Sequence, residues 1–404
     1  MTLRYIIISL ILGYSTLTSV INAEIAPISG NTVVNTPTIE SVIAEIESNN
    51  LSLKTAAAAN NAETAELQAA NIIGPTSIEY SPFFQSGWRG VASSELIVKQ
   101  EFDFPTKYAS RAKAAGAKGK ALDAALEEQR RSIRIEATQA CIDRIGAEKR
   151  LEILNDRLKL TKILLNLYEQ KYELRSATAL DLNLIKLSKI DIERDITSTM
   201  TEAMEAEATL QRLNGGTPIS LTGMDYAGSI EEVILPESAR IYAAQSPSVA
   251  AAEADIRVSE AELSIARSSW LPTIGVGYRR NTEVGSSSNG FVIGLDFPIF
   301  GLGRQKKAAE ARKAAAEISL LEADKNAEAE AASVMRQLES MRKTLATEDP
   351  ALISETIHLY DESLRLGQIT MTDYCRETES LLDRALTLSR IEQDYRRLAA
   401  TLIQ

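Results

Sequence analysis

Apolar residues alternate with small or polar residues along two arms of residues 272–300, and a Gly/Ser-rich stretch separates the arms. Successive side chains of a strand point to opposite faces, so this period of two predicts strands at about 273–280 and 290–299. Their apolar positions are Ile274, Val276 and Tyr278, and then Phe291, Ile293, Leu295 and Phe297. The stretch predicts a β-hairpin with one apolar face.

The same pattern occurs once earlier in the chain. Two strands are predicted at about 76–81 and 94–104, separated by a loop that contains Pro82, Gly87 and Gly90. In the second of these strands the alternating apolar residues are Leu96, Val98, Phe102 and Phe104. The chain therefore has two candidate hairpins, and most of the remaining sequence is helical in pattern.

A long helix is predicted from Lys107 to Leu174, because this stretch has no proline and carries a heptad seam. The seam consists of Leu151, Leu158, Leu165 and Tyr172, with Leu154, Thr161 and Tyr168 between them. At about 1.5 Å per residue such a helix is roughly 100 Å long, which is too long for a compact globule. A second helix is predicted from Ala179 to Leu213, so the chain reverses at a tip at about 174–182.

The two halves of the chain repeat one another. Asp103-Phe104-Pro105 corresponds to Asp296-Phe297-Pro298 at a spacing of 193, and Asp181 corresponds to Asp373 at a spacing of 192. A spacing this constant predicts a duplicated unit of helix, hairpin, long helix and helix. The predicted division is a signal peptide at 1–23, an extended leader at 24–37, a first repeat at 38–218, a linker at 219–245 and a second repeat at 246–404, whose tip lies at about 366–374.

The N-terminus predicts export. Residues 1–23 begin with Arg4, continue with an apolar run and end in small residues at Ala23, as in a secretory signal. A single membrane anchor is the alternative, but the apolar run is shorter than the roughly 20 residues that a span needs. The net charge of −11 argues against nucleic acid as a partner. Cys141 and Cys375 lie far apart in helical sequence, and we expect them to be unpaired.

Four strands cannot form a membrane barrel alone, because an open sheet leaves unpaired backbone groups at two edges. The strands either pack in water against helices or are completed by other copies of the chain, and three copies would supply twelve strands. Candidate aromatic residues for the interfacial girdles of such a barrel are Tyr80, Phe102, Phe104, Tyr278, Phe291 and Phe297.

The duplicated unit, the strand exit at 296–301 and the helix break at 366–373 resemble the TolC-like outer-membrane efflux and secretion channels, the outer membrane factors of tripartite pumps. The resemblance covers nearly the whole chain after the signal. It implies a mostly α fold with a small β part, in which a homotrimer forms a 12-stranded outer-membrane β-barrel continued by a long α-helical periplasmic barrel. It also implies three further partners, which are a periplasmic adaptor protein, an inner-membrane pump and outer-membrane lipid.

The resemblance assigns roles to the two tips. The periplasmic gate would be formed by Leu174, Arg175, Asp181, Leu366, Gly367, Asp373 and Arg376. Adaptor contacts would be made by Thr178, Thr370 and Met371. The alternative for the two aspartates is that each offsets the dipole at a helix N-terminus. The chain departs from the family at Arg175, where a glycine is expected, and at Arg376, where some members carry a second aspartate.

Other chemistry is sparse in the sequence. We expect no catalytic residues, no cofactor and no metal site, since His358 is the only histidine and no Ser/His/Asp or Cys/His set stands out. Basic clusters follow each hairpin, where lipid phosphates would attract them in a barrel, or where they form a solvated helix face. The clusters are Lys107, Arg111 and Lys113, and Arg304, Lys306 and Lys307.

The sequence thus favours an outer-membrane channel subunit of a tripartite efflux system, a passive exit duct for small molecules or metal ions with no enzymatic activity. An exit duct for type I protein secretion is one alternative. A soluble periplasmic coiled-coil adaptor or scaffold is another, although an adaptor should carry a single helical hairpin with half-lipoyl pieces beside it.

Overall fold

A computed structural model describes residues 37–87, 90–221, 223–226, 228 and 238–402. The predicted signal peptide, nearly all of the leader and much of the 219–245 linker lie outside the described residues. The described helices are α1 (Ile39–Asn49), α2 (Leu51–Ala69), α3 (Pro105–Glu173), α4 (Ala179–Leu213), α5 (Ala239–Ala244), α6 (Pro247–Ser268), α7 (Leu302–Thr347), α8 (Pro350–Arg365) and α9 (Met371–Leu402). The described strands are β1 (Thr76–Phe84), β2 (Val91–Asp103), β3 (Thr273–Glu283) and β4 (Ser286–Asp296).

The mostly α fold with a small β part is confirmed. In the described chain α2, β1, β2, α3 and α4 are followed by a second series of the same kind, α6, β3, β4, α7 with α8, and α9. The second long helix is divided because α7 ends at Thr347 and Asp349 caps a new helix that begins with Pro350. A proline at the first position of a helix lacks only a backbone donor that would have no partner there.

All four strands form one antiparallel sheet in the order β1-β2-β3-β4. The two hairpins therefore lie side by side, with β2 and β3 paired along their whole length from Ser93↔Glu283 to Asp103↔Thr273. The C-terminal ends of β2 and β4 lie at the same end of the sheet, which we call its lower edge. From there β2 leads into α3 and β4 leads toward α7.

The second hairpin differs from the predicted strands at both ends of β4. This strand begins at Ser286, four residues before the predicted start, because Gly285 (φ 88°) closes a tight turn that pairs Ser286 with Glu283. It ends at Asp296 instead of about residue 299, and Pro298, which has no N–H to donate, follows two residues later. The serines before Phe291 carry no apolar alternation, so the sequence pattern marked only the apolar part of the strand.

The helices pack through small clusters spaced along α3. Around its middle, Ala137, Cys141 and Ile145 are buried against α1 and α4. Nearer its C-terminus, Leu154 packs with Ile192 and Leu386. The clusters bring α3 into contact with both α4 and α9, so the two helical hairpins lie together. Within the described residues we find no helix that is both long and apolar enough to span a membrane.

Candidate functional site: the amphipathic sheet and the helical tips

One face of the sheet is apolar. The register places Ile78, Val98, Tyr278 and Phe291 in one row across all four strands, and Phe102, Ile274 and Leu295 in a lower row. These side chains are not covered by the rest of the chain, since Phe291 is 88 % exposed and Ile293 is 77 % exposed. A water-soluble protein rarely exposes a contiguous apolar surface of this kind, which usually marks contact with a partner or a membrane.

Four of the six predicted girdle residues lie on this apolar face. Tyr80, Tyr278 and Phe291 lie in its upper rows. Phe102 lies at the base of β2, whereas Phe104 and Phe297 follow the last residues of β2 and β4. Six residues separate Phe291 from Phe297, or about 20 Å along a strand at 3.4 Å per residue. The two aromatic levels are therefore separated by about the height of the apolar band of outer-membrane barrels, roughly 25 Å.

The opposite face of the sheet is polar. Arg279 forms an ion pair with Glu95, and the Lys99 ammonium lies 2.8 Å from Glu101 and 3.6 Å from Asp296. Gly275 lies under the Lys99 side chain, where a Cβ would collide with Lys99 Cε, whereas a Cβ on Gly277 would collide with the neighbouring backbone of β2. Gly275 thus allows Lys99 to extend across β3 to β4, and this face suits a water-filled interior.

The two edges of the sheet are unpaired in the described chain. β1 is hydrogen-bonded to β2 alone, and β4 to β3 alone. Their outer N–H and C=O groups need partners if the apolar face is in lipid, because no water is present there to satisfy them. In lipid, the sheet would therefore need further strands at both edges.

The two helical tips end in the same way. At the C-terminus of α3, the Ser176 N–H donates to the Lys171 carbonyl (2.8 Å) and the Arg175 N–H to the Tyr172 carbonyl (2.9 Å). At the C-terminus of α8, the N–H groups of Gln368 and Gly367 donate to the carbonyls of Ser363 (2.9 Å) and Leu364 (3.1 Å). Both are Schellman motifs, which need a left-handed residue after the helix.

The helix after each tip is capped by a threonine and an aspartate. The Asp181 N–H donates to Thr178 Oγ1 (3.1 Å), and the Thr178 N–H donates to Asp181 Oδ2 (2.9 Å), which forms a capping box. At the second tip the Asp373 N–H donates to Thr370 Oγ1 (3.1 Å) in the same way. Both aspartates lie in the first turn of a helix, the position from which a carboxylate can offset the helix dipole.

The charges at the two tips differ. Arg376 Nη2 lies 3.3 Å from Asp373 Oδ1, whereas no Lys or Arg in the described chain forms an ion pair with Asp181. Since the Asp373–Arg376 pair is largely exposed, it contributes little to stability. It does lower the local negative charge at the second tip.

Exposure separates the predicted tip residues into two groups. Leu174 and Leu366 are the C-cap residues of α3 and α8, and they are 78 % and 65 % exposed. Thr370 is exposed, but Met371 is buried in a cluster with Tyr168, Ile185 and Cys375. Met371 therefore presents no side-chain surface to an adaptor in this conformation.

A buried arginine near the tips was missed from sequence. The Arg157 guanidinium, 6 % exposed, donates to the Tyr374 hydroxyl (3.0 Å) and to Thr378 Oγ1 (2.7 Å). The Tyr374 hydroxyl in turn donates to Asp361 Oδ1 (2.5 Å), which joins α3, α8 and α9. Arg157 follows Arg150, also buried, by seven residues, so heptad spacing was the signal that could have identified both.

Burial also sets the protonation of the groups beside this network. It raises the pKa of the Cys375 thiol to about 11 and also raises the pKa of the Tyr374 phenol, although nearby Arg157 acts in the opposite direction. Cys375 and Cys141 are both free, as expected from their positions in the sequence. Both thiols are therefore protonated at neutral pH and behave as small core residues.

The chain resembles known outer-membrane proteins. Residues 240–404 match the family described as outer membrane efflux protein. No curated protein matches the sequence. Among solved structures the chain is similar to CusC (17 % identity, TM-score 0.76, 90 % of each chain covered) and to the outer membrane protein VceC from Vibrio cholerae (16 % identity, TM-score 0.74, 90 % of this chain and 95 % of that one). It is also similar to the CmeC outer membrane channel of Campylobacter jejuni, with 14 % identity, a TM-score of 0.71 and coverage of 90 % and 84 %.

The matched family and structures are described as outer-membrane efflux proteins, outer-membrane proteins and channels rather than as enzymes, which agrees with the prediction of a chain without catalytic activity. Their fold also differs from the single helical hairpin expected of a soluble adaptor. The predicted resemblance to TolC-like outer-membrane channels is thus confirmed: residues 240–404 match the model of the outer membrane efflux protein family, and the described chain is similar in fold to CusC and VceC.

Proposed function

We propose that the chain is the outer-membrane channel subunit of a tripartite efflux system and that it works as a homotrimer. The observation that carries this proposal is the four-stranded sheet, which is apolar on one exposed face, polar on the other and open at both edges. The structural neighbours and the matched family support it, since they are outer-membrane efflux proteins and channels.

Three copies satisfy the requirements of the sheet. Pairing β4 of each copy with β1 of the next gives twelve strands and leaves no edge in the lipid. The row of Ile78, Val98, Tyr278 and Phe291 then faces lipid, and the face with Lys99 and Arg279 lines the interior. The long helices leave the barrel at its lower edge and extend into the periplasm.

The channel is passive in this proposal. Small molecules leave through it, energised by an inner-membrane pump that reaches the channel through a periplasmic adaptor. Since the energy comes from the pump, the chain needs only a polar path and a regulated entrance.

We place that entrance, and the adaptor contacts, at the two tips. Leu174 and Leu366 support this, because two leucines at equivalent positions are exposed without a covering partner in the described chain. Thr178 and Thr370 lie beside them and complete the exposed surface. The matched conformations of the two tips mean that a trimer offers six similar helix ends to its partners.

The test uses neighbouring residues on opposite faces of β4. Ile293→Lys puts a charge on the apolar face, which costs about 2–4 kcal/mol at the middle of a bilayer, whereas Val292→Lys puts the same charge on the polar face. We expect Val292→Lys and the wild-type chain to give a heat-sensitive trimer in the outer-membrane fraction, and Ile293→Lys to give little or none. Recovery of the wild-type chain as a soluble periplasmic monomer, or equal yields of both variants, would contradict the proposal.

A further inference from the structure

Three large apolar side chains are exposed where the chain leaves β4. Phe297, Ile299 and Phe300 are 55 %, 78 % and 90 % exposed, so more than half of each side chain is left uncovered by the described residues. They belong to residues 297–307, which we call the basal segment and which runs from the end of β4 into the second turn of α7. Contiguous apolar exposure of this extent indicates contact with another molecule or with lipid.

Basic residues follow these apolar ones directly. Arg304, Lys306 and Lys307 occupy the first two turns of α7, whose first turn contains no acidic residue and whose N-cap, Gly301, makes no side-chain cap bond. Cations oppose the helix dipole at an N-terminus and are slightly destabilising there. Helix stability therefore does not explain why basic residues lie here, whereas binding of an anion from outside the chain would explain it.

The charge of this cluster is not neutralised internally. Across the described residues, Arg304 and Lys307 form no ion pair, and Lys306 reaches only Glu310 at 3.7 Å. The equivalent cluster after the first hairpin is different, because Asp103 lies 3.3 Å from Lys107 and 2.7 Å from Arg111. The two basic clusters, alike in sequence, are thus distinguished by the structure.

A neighbouring cavity is a poorer candidate for binding an anion. Its volume is about 460 Å³, and it lies between the basal segment and the start of α3. The Asp296 carboxylate lines it, and its two cations, Lys107 and Arg111, are already paired with Asp103. An anion is therefore better placed on the exposed side of α7, where Arg304 and Lys307 share a face at a spacing of three residues.

We propose that the basal segment is a lipid anchor of the channel on the periplasmic leaflet of the outer membrane. Phe297, Ile299 and Phe300 insert among the acyl chains, and Arg304 and Lys307 bind the phosphate of an anionic phospholipid headgroup. This inference rests on the proposed barrel function, which puts the lower edge of the sheet at the periplasmic boundary. Attraction of a Lys or Arg side chain to an anionic membrane surface is worth about fivefold in binding per residue.

The test compares two double variants of the full-length channel, purified as trimers. Arg304→Gln with Lys307→Gln removes the two cations of the basal segment, whereas Lys325→Gln with Lys343→Gln removes two cations from the same helix that pair with Glu328 and Glu339. Phosphatidylglycerol is titrated into each trimer in detergent, and bound lipid is counted by native mass spectrometry. We expect the affinity of the first variant to fall about tenfold or more and that of the second to equal wild type.

Two results would overturn the proposal. One is an unchanged affinity of the Arg304→Gln, Lys307→Gln variant for phosphatidylglycerol. The other is dissociation of this variant, or of Phe300→Ser, into monomers while the control variant stays trimeric, because the segment would then pack against a neighbouring copy of the chain. Failure of the barrel proposal is distinguishable, since wild type and control would then also fail to form trimers.

Discussion

Arg175 and Gly367 adopt the same left-handed backbone conformation at equivalent positions of the two tips, with φ of 58° and 70°. They lie 192 residues apart, the spacing of the repeat. Among the described residues Arg175 is the only one other than glycine with positive φ. The first repeat thus has the same backbone conformation as the second but carries arginine where glycine would adopt it without strain.

Replacing Arg175 by glycine should therefore stabilise the first tip. A left-handed conformation costs a residue with a Cβ roughly 1 kcal/mol, partly offset by the greater freedom of glycine in the unfolded chain. We expect the amide of Ser176, bonded to the Lys171 carbonyl, to exchange its hydrogen up to about fivefold more slowly in Arg175→Gly. Gly367→Ala is the reciprocal control and should speed exchange at Gln368. Faster exchange in Arg175→Gly would contradict this account.

Variants of Asp181 and Asp373 can separate the capping role of these aspartates from the effect of their charge. In Asp181→Asn the side-chain oxygen can still accept the Thr178 N–H, whereas Asp181→Ala removes the acceptor and should cost about 1 kcal/mol. We expect Asp181→Asn to keep the melting temperature of the trimer and to shift its ion selectivity in planar bilayers away from cations, because it removes a negative charge at the tip. Asp373→Asn should have a smaller effect, because Arg376 already lies 3.3 Å from Asp373. Unchanged ion preference in both Asn variants would mean that the aspartates act only as caps.

The hydrogen bonds that join Arg157, Tyr374 and Asp361 should stabilise the contact between the second tip and α3. Tyr374→Phe removes a hydroxyl that accepts from Arg157 and donates to Asp361, which should cost about 1–3 kcal/mol. Arg157→Leu leaves the half-buried Asp361 without its cation and should cost about 3–5 kcal/mol. The double variant should cost clearly less than the sum, since both changes disrupt one network. Hydrogen exchange of the α8 and α9 amides measures the loss of stability in each variant. Additive losses would show that the two residues act independently.

The sequence was most informative where side-chain pattern and backbone conformation coincide. α4 begins at Ala179 and ends at Leu213, the two residues predicted from the sequence. It was least informative where a side chain departs from its usual environment. Arg150 and Arg157 follow the heptad spacing of α3, but their polar partners are contributed by α4, α8 and α9, and the spacing alone does not identify those partners. The resemblance places Met371 among the adaptor contacts, but the packing of the two hairpins buries its side chain.

Ionisation of the two buried cysteines should destabilise the folded protein at alkaline pH. Burial raises the pKa of Cys375 to about 11 and of Cys141 to about 12, whereas an unfolded cysteine ionises near pH 8.5. Because each thiol has a higher pKa in the folded chain than in the unfolded chain, the stability that depends on protonated thiols is fully present below about pH 8.5. It is lost as the pH rises toward 11. We expect a small thiol reagent to label the native trimer very slowly at pH 8 and tenfold faster per pH unit above it. Rapid labelling of Cys375→Ser or Cys141→Ser variants at pH 8 would contradict the buried positions of the remaining thiols.

Two glycines of β3 provide the sharpest test of the sheet. A Cβ on Gly277 would lie 2.5 Å from the Val98 carbonyl oxygen and 3.1 Å from the Lys99 Cα, and these backbone atoms cannot move without opening the β2–β3 ladder. A Cβ on Gly275 would first meet the end of the flexible Lys99 side chain. Gly277→Ala should therefore reduce the yield of outer-membrane trimer about tenfold or more, whereas Gly275→Ala should assemble normally.

The assembled Gly275→Ala channel then reports on the polar face. The new methyl group displaces the Lys99 ammonium from its position 2.8 Å from Glu101 and 3.6 Å from Asp296. Three copies of a displaced cation should change the conductance and ion preference of the open barrel in planar bilayers, if this face lines the water-filled interior. An unchanged conductance would place Lys99 away from the conducting path, because an ammonium moved within the interior must alter the field that ions cross.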